Sequence, residues 1–160
     1  MAKEHHYSTQ LSWTGNKGEG TSSYTAYDRD HVWRAGIKPE VAGSSDPSFR
    51  GNPHRYNPEE LLVASLSSCH MLWYLHLCAV NGVVVVDYRD EASGTMLETA
   101  DGGGRFSVVV LRPLVTVTEE AMEERAQALH QEAHKLCYIA NSCNFPVKHE
   151  PEVRVVDEGM

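Results

Sequence analysis

The residues of this 160-residue chain that are best suited to chemistry are its four cysteines. Cys69 lies inside its most apolar stretch, LLVASLSSCHMLWYLHLC. A thiol among apolar side chains is usually inert packing, because burial disfavours the nucleophilic thiolate. A reactive Cys69 would need a fixed positive charge beside its sulfur, which arginine supplies best. The polar segments before this stretch contain four arginines: Arg29, Arg34, Arg50 and Arg55.

Cys137 is a candidate partner for Cys69 in thiol chemistry. It falls at the predicted end of a second helix, where the helix dipole disfavours a thiolate. Such a thiol is a poor first nucleophile, but it can attack an oxidised sulfur as a resolving group. Cys143 is a rival for that role, and Cys78 is interpreted as core. A purely structural thiol remains the alternative for Cys137.

Histidines offer a second kind of chemistry. His130, His134 and Cys137 are spaced at i, i+4 and i+7, so one helix face could present them to a metal ion. No fourth ligand is apparent, and we therefore predict neither a metal nor a cofactor. His70 and His76 could orient a bound oxygen, but hydrogen-bonded core histidines are the favoured interpretation.

The elements that must position these residues follow an α+β order within one predicted domain, residues 1–160. Asn57 and Pro58 are a cap and a first helical residue, and Asn81-Gly82 is a stop signal. Thr118 is expected to cap the second helix, and the glycine run 101–104 to join two strands. The predicted elements are strands over 7–14 and 22–33, a loop over 36–56, a central helix over 58–80, strands over 83–86 and 105–117, a helix over 118–137 and a strand over 152–156.

Glu59 is first explained as a first-turn acid that complements the helix dipole. It could also hold an arginine over the Cys69 sulfur. Ten residues separate Glu59 from Cys69, about 15 Å along one helix, so both cannot easily reach the same guanidinium. Two antiparallel copies of the helix would bring Glu59 of one chain towards Cys69 of the other. If both serve one site, we expect an obligate dimer.

Charge and composition restrict the partners. The formal charge of -8 and the lack of a Lys/Arg cluster argue against nucleic acid. Acidic residues and histidines in or beside the apolar stretch favour a buried helix over a membrane span. The opening MAKEHHYSTQLSW lacks the plan of a signal peptide, so we expect a cytoplasmic protein whose cysteines are not a disulfide framework.

Two motifs, NPEELLVASLSSCH and HKLCYIANSCNFPV, resemble those of the OsmC/Ohr family of osmotically inducible and organic hydroperoxide resistance proteins, and most closely its OsmC-like branch. The resemblance implies an antiparallel sheet wrapped around two long central helices in an intertwined homodimer with composite active sites. It also implies a peroxidatic Cys69, a resolving Cys137, a Glu59 that pairs with the catalytic arginine, and an external dithiol reductant.

The arginine is where this chain departs from the family pattern. In the hydroperoxide resistance branch it lies between the first strands, where residues 15–20 offer only Lys17. Arg50 and Arg29 are the better candidates, with Arg50 slightly favoured because its loop leads into the Glu59 helix. Tyr138 also stands where the family often has proline.

The leading hypothesis is a thiol-dependent peroxidase that reduces organic hydroperoxides, and hydrogen peroxide more weakly. Apolar side chains near Cys69 could hold an alkyl tail. Those expected to line the pocket are Leu62, Leu66, Leu72 and Trp73. The alternative is a non-enzymatic binder of small hydrophobic molecules, with Cys69 merely packed.

Overall fold

The structure is a computed structural model that describes residues 2–157. The chain divides into two compact units, with the boundary after Leu61. The mixture of two helices and several sheets confirms the predicted α+β class. A single domain over residues 1–160 stays a prediction.

The first unit is built on a three-stranded antiparallel sheet of β1 (Gln10–Trp13), β2 (His31–Arg34) and β3 (Val41–Gly43), in that spatial order. His31 pairs with Trp13 on one side and with Gly43 on the other. Gly43 also bridges to Tyr56, just before the first helix. These pairings bring His31 close to the segment that leads into that helix.

Arg29 explains why the strand predicted over 22–33 is mostly wrong. Its guanidinium donates hydrogen bonds to the carbonyl oxygens of Tyr27 (2.7 Å) and Tyr24 (2.8 Å). The same group lies 3.9 Å from the centre of the Tyr27 ring and 4.6 Å from that of Tyr24. The aromatic residues that suggested a strand therefore stack on a cation, and only β2 is extended.

The predicted loop over 36–56 contains β3 and a short 3-10 turn, Pro47–Phe49. The Asp46 carboxylate accepts hydrogen bonds from the Ser48 backbone N–H (2.8 Å) and hydroxyl (2.6 Å). Arg50 ends the turn with φ of 64°. This left-handed residue is exposed, and its N–H donates to the Pro47 carbonyl at 3.1 Å.

Helix α1 (Pro58–Val80) begins and ends as the sequence predicts. Asn57 Oδ1 accepts the Glu60 N–H at 2.9 Å, and Glu60 Oε1 accepts the Asn57 N–H at 3.0 Å, which is a capping box. At the other end Gly82 adopts φ of 72°, and the Cys78 carbonyl accepts the Val83 N–H at 3.0 Å. Local hydrogen bonds thus define both ends.

The second unit contains two three-stranded sheets. One has the order β4-β7-β9 and the other β5-β6-β8, each with one antiparallel and one parallel pairing. The six strands are β4 (Val85–Asp90), β5 (Ser93–Glu98), β6 (Gly104–Leu111), β7 (Pro113–Val117), β8 (Val147–His149) and β9 (Glu152–Val155). The strand predicted over 83–86 corresponds to β4, and that over 152–156 to β9.

The single strand predicted over 105–117 is wrong, because the chain changes sheets at Pro113. β6 ends at Leu111, and the Arg112 N–H donates to Asp90 Oδ1 at 2.6 Å instead of extending a ladder. The glycine turn joins β6 to β5 and not to β4. Strands β5 and β8 were not predicted, since β5 is exposed throughout and β8 has three residues.

Helix α2 (Glu123–Leu136) follows a 3-10 turn over Glu120–Met122. The predicted Thr118 cap is wrong, because neither element has a side-chain cap hydrogen bond. The predicted end is confirmed, with Cys137 as the C-terminal cap in an extended conformation. The buried positions of α2 are Ala126, Leu129, His130 and Ala133.

Candidate functional site

Cys69 and Cys137 meet in the second unit. Cys69 is half-buried in the middle of α1, and Cys137 is buried at the end of α2. Their thiols lie close enough for Cys69 to raise the pKa of Cys137, and both cysteines are free. The structure thus brings together the two cysteines that the sequence singles out for redox chemistry.

The surroundings of Cys137 keep its sulfur protonated. Burial raises the pKa of the thiol to about 11, and the neighbouring Cys69 adds to this effect. The backbone N–H groups of Ala140 and Ile139 act in the opposite direction by donating to the sulfur, the former at 3.5 Å. Cys137 is therefore a thiol at neutral pH, in a turn that provides donors for a developing negative charge.

The other two cysteines are engaged elsewhere. Cys143 donates to the Ile139 carbonyl at 3.2 Å and packs against a core cluster around Leu66. Cys78 is buried in a different core cluster with Tyr74. Burial raises the pKa of both thiols. Cys137, and not the rival Cys143, is the thiol that contacts Cys69.

An apolar recess of about 290 Å³ lies further along α1, lined by Leu72, Trp73 and His76. Trp73 is four residues after Cys69, which places the two on one helix face. The Trp73 ring is also 5.5 Å from that of Tyr138, edge to face. Of the four residues expected to line a pocket, Leu72 and Trp73 do so. Leu66 and Leu62 instead belong to the core.

Glu59 lies in a pocket of the first unit, with a volume of about 310 Å³. Arg29 lines the same pocket, held by its stacking and its two carbonyl contacts. Arg50, which the sequence slightly favoured, is not among the lining residues and is exposed. The complete lining is Arg29, His31, Ser44, Ser45, Asp46, Phe49, Pro58 and Glu59.

His31 and Ser44 are pocket residues that sequence reasoning missed. His31 Nδ1 is 2.9 Å from the Arg29 carbonyl oxygen, and Ser44 is fully buried. Neither belongs to a motif of recognisable spacing, since His31 reaches the pocket through the pairing of β2 with β3. Only the sheet register could have indicated them.

The histidines form a cluster inside the second unit. His70 Nε2 and His130 Nδ1 are 3.0 Å apart and share a hydrogen bond. His149 of β8 adds a ring whose centre is 5.8 Å from that of His70, and His134 lies 5.4 Å from His149. Within residues 2–157, no three His, Cys, Asp or Glu residues are arranged to hold a metal ion. His70 is the hydrogen-bonded core histidine that the sequence favoured.

Acid is expected to destabilise the folded chain through this cluster. Burial, together with a smaller effect of nearby imidazoles, lowers the pKa of His70 from 6.5 to about 4 and that of His130 to about 3. Between pH 6.5 and 4 these two imidazoles therefore bind protons in the unfolded chain but not in the folded chain. The free energy of unfolding is therefore not reduced by these histidines above pH 6.5. It falls as the pH drops to 4, by about 3 kcal/mol for His70 alone.

Urea unfolding followed by tryptophan fluorescence at pH 7 and at pH 4.5 would measure this loss. The His70→Phe variant separates it from the titration of carboxylates, because phenylalanine cannot be protonated. We expect the free energy of unfolding to fall less in the variant than in the wild type. Equal losses in both proteins would contradict the assignment to His70.

Three comparisons with known proteins, by family model, by sequence and by structure, each give a match. The model of the family described as OsmC-like protein matches residues 51–152. An OsmC-like protein of unknown function from Vibrio cholerae has 30% identity and a TM-score of 0.83, with 93% of this chain and 100% of that chain covered. An organic hydroperoxide resistance protein from Legionella pneumophila has 17% identity and a TM-score of 0.70, over 97% and 100%. The uncharacterized protein YmaD of Bacillus subtilis is 22% identical, over 87% of this chain and 82% of its own length.

Proposed function

The chain belongs to the OsmC-like protein family, and from this premise we propose that it is a thiol-dependent peroxidase that reduces organic hydroperoxides. The observation that carries the proposal is the contact between the half-buried Cys69 and the buried Cys137. The presence of proteins named for organic hydroperoxide resistance among its structural neighbours supports the same chemistry.

The first step is assigned to Cys69. Its thiolate attacks the outer oxygen of the hydroperoxide, the O–O bond breaks, and the alkoxide takes up a proton to leave as an alcohol. Cys69 becomes a sulfenic acid. Cys69 suits this role better than Cys137 because it is partly exposed, whereas Cys137 is 1% exposed and has a raised pKa.

The second step is assigned to Cys137. Its sulfur attacks the Cys69 sulfenic sulfur, water leaves, and a Cys69–Cys137 disulfide forms. The backbone N–H groups of Ala140 and Ile139 stabilise the negative charge that develops on the attacking sulfur. An external dithiol then reduces the disulfide, becomes a disulfide itself, and restores both thiols. This cycle suits the reducing cytoplasm.

The recess of Leu72, Trp73 and His76 supports a preference for organic over hydrogen peroxide. Its volume of about 290 Å³ suits a small aromatic or branched alkyl group. Burying such a group against Leu72 and Trp73 adds hydrophobic binding energy that hydrogen peroxide cannot obtain.

We further propose that the protein is a homodimer and that α1 forms the interface between the two copies. Within residues 2–157, α1 has the length and hydropathy of a membrane span, yet only 22% of that stretch is buried. Leu72 and Val80 are 63% and 64% exposed. A second copy would cover this apolar face, which favours a dimer over a membrane or nucleic-acid partner. The Arg29–Glu59 pocket of one copy would then serve the thiols of the other.

Mass spectrometry after one equivalent of cumene hydroperoxide tests the proposed function. We expect one equivalent of alcohol and a peptide pair linked between Cys69 and Cys137, and no link to Cys143. Protein denatured before the addition of peroxide is the control for random thiol oxidation. An unmodified Cys69 thiol after this treatment would favour the non-enzymatic binder.

A further inference from the structure

A hydrogen-bonded pair of histidines joins the two helices that carry the candidate redox thiols. His70 follows Cys69 on α1, and His130 lies two helical turns before Cys137 on α2. The nitrogen atoms His70 Nε2 and His130 Nδ1 are 3.0 Å apart, and the two ring planes differ by 1°. Each side chain is 1% exposed, so water does not compete for this bond.

Tyr74 reinforces the connection one turn further along α1. Its ring lies flat against that of His130, with centres 3.9 Å apart. Its hydroxyl donates to the Ala126 carbonyl of α2 at 2.9 Å. The two contacts attach α1 to α2 at neighbouring turns, and a buried hydrogen bond has a narrow range of lengths and angles.

The histidine pair lowers the stability of the fold relative to an apolar pair of the same size. His130 Nε2 is buried and has no hydrogen-bond partner among the described residues. Phenylalanines at both positions would fill a similar volume, one of them stacking on Tyr74, and would avoid the unsatisfied nitrogen. A histidine pair that costs stability at this interface points to a role other than filling the core.

Disulfide formation gives such a role, because the bond tolerates little error. The two Cβ atoms must come within about 4 Å in a defined orientation, or the product is strained. Cys69 and Cys137 reside on different helices, so a small slide of α1 against α2 would separate the sulfurs. The histidine pair lies about 10 Å before Cys137 along α2, close enough to restrict that slide.

We propose that His70 and His130 are positioning residues for the resolving step, holding α1 and α2 in the register that lets Cys137 reach the Cys69 sulfenic acid. This inference rests on the proposed function. In that step the Cys69–OH bond breaks and the sulfur–sulfur bond forms. The Cys137 sulfur is oxidised, the sulfenic sulfur is reduced, and the hydroxyl leaves with the Cys137 proton as water. Among the described residues the histidines hydrogen-bond to each other and to neither sulfur, so they act by determining how often the two sulfurs meet.

The groups that face the pair come from three elements. His149 faces it from β8, His134 lies beyond His149 on α2, and Tyr74 faces it from α1. Burial lowers the pKa of His149, as it does for the pair itself. Within residues 62–157, no carboxylate forms an ion pair with His70 or His130. The connection therefore acts as a hydrogen bond between neutral rings and not as a salt bridge.

The thiol–disulfide equilibrium with dithiothreitol at pH 7 tests the proposal without peroxide. It gives the effective concentration of Cys137 at Cys69, which the helix register determines. We expect His130→Phe, which keeps the stacked ring and loses the nitrogen, to lower this value about tenfold. His130→Asn, which retains a polar group near the position of Nδ1, should recover to within about threefold of the wild type. Gln131→Leu, at an exposed neighbouring position, is the matched control.

A rapid-quench experiment with one equivalent of cumene hydroperoxide separates the two steps. His130→Phe should form the sulfenic acid within about twofold of the wild-type rate and close the disulfide about tenfold more slowly. His70→Phe breaks the same hydrogen bond by a substitution on α1 and replaces His130→Phe in this experiment if that variant does not fold. Wild-type closing rates and effective concentrations in both folded variants would overturn the positioning role. Absence of both the sulfenic acid and the disulfide in the wild type would instead contradict the peroxidase proposal.

Discussion

Replacing Cys69 with serine is expected to abolish peroxide consumption, with a fall in kcat/KM of at least about a thousandfold. A serine hydroxyl has nearly the same size, but it is not ionised at neutral pH and cannot accept the peroxide oxygen as a sulfur does. Cys69 is half-buried, so the substitution should leave the melting temperature nearly unchanged. The measurement is the rate of cumene hydroperoxide loss with dithiothreitol as reductant.

Cys137→Ser is expected to behave differently, because it removes the second step and leaves the first. One equivalent of peroxide should be consumed, after which the Cys69 sulfenic acid persists or is oxidised to the sulfinic acid. Cys143→Ser is the matched control, since its sulfur is engaged with the Ile139 carbonyl and should be dispensable. If Cys137→Ser turns over normally while Cys143→Ser stalls, the assignment of the resolving thiol is wrong.

Arg29→Ala is expected to lower kcat/KM about a hundredfold, and Arg50→Ala less than about twofold. Arg29 is fixed in the pocket of Glu59 by two carbonyl contacts and two aromatic rings. A guanidinium held in place can stabilise a thiolate and the departing alkoxide, an effect worth about 2 to 3 kcal/mol. Arg50 is exposed at the end of a 3-10 turn and has no such support. The reverse order of effects would return the assignment to Arg50.

Mixing two impaired variants tests whether the Arg29 pocket of one copy serves Cys69 of the other. A dimer of Arg29→Ala with Cys69→Ser would contain one site with both residues intact and one site with neither. After denaturation and joint refolding, half the dimers are mixed, so about a quarter of the wild-type activity should return. Each variant refolded alone is the control. If the mixture stays inactive although mixed dimers are detected, the composite site is contradicted.

Several features of the site could be predicted because they depend on neighbouring residues. The ends of α1 follow from the Asn57–Glu60 capping box and the left-handed Gly82, each of which is encoded within a few positions. The end of α2 at Cys137 follows from helical periodicity in the same way. Short-range hydrogen bonds leave a direct trace in the sequence, so these bounds were confirmed.

Predictions failed where a residue's partner is distant in the chain. A strand was expected over 22–33 because the segment is rich in aromatic residues, whereas the structure uses Tyr24 and Tyr27 to stack on Arg29. One strand was expected over 105–117, whereas Pro113 begins a strand in another sheet. In both cases the local pattern is compatible with two structures, and contacts made elsewhere decide between them.

By itself the sequence determined the α+β class, the bounds of α1, the two cysteines worth testing and the resemblance to the OsmC/Ohr family. Tertiary structure decided that Cys137 rather than Cys143 contacts Cys69, that Arg29 rather than Arg50 shares a pocket with Glu59, and that His130 pairs with His70 across two helices. The physical reason is the range of the interactions. Helix caps act over a few residues, whereas these side chains meet only after the helices and sheets have packed.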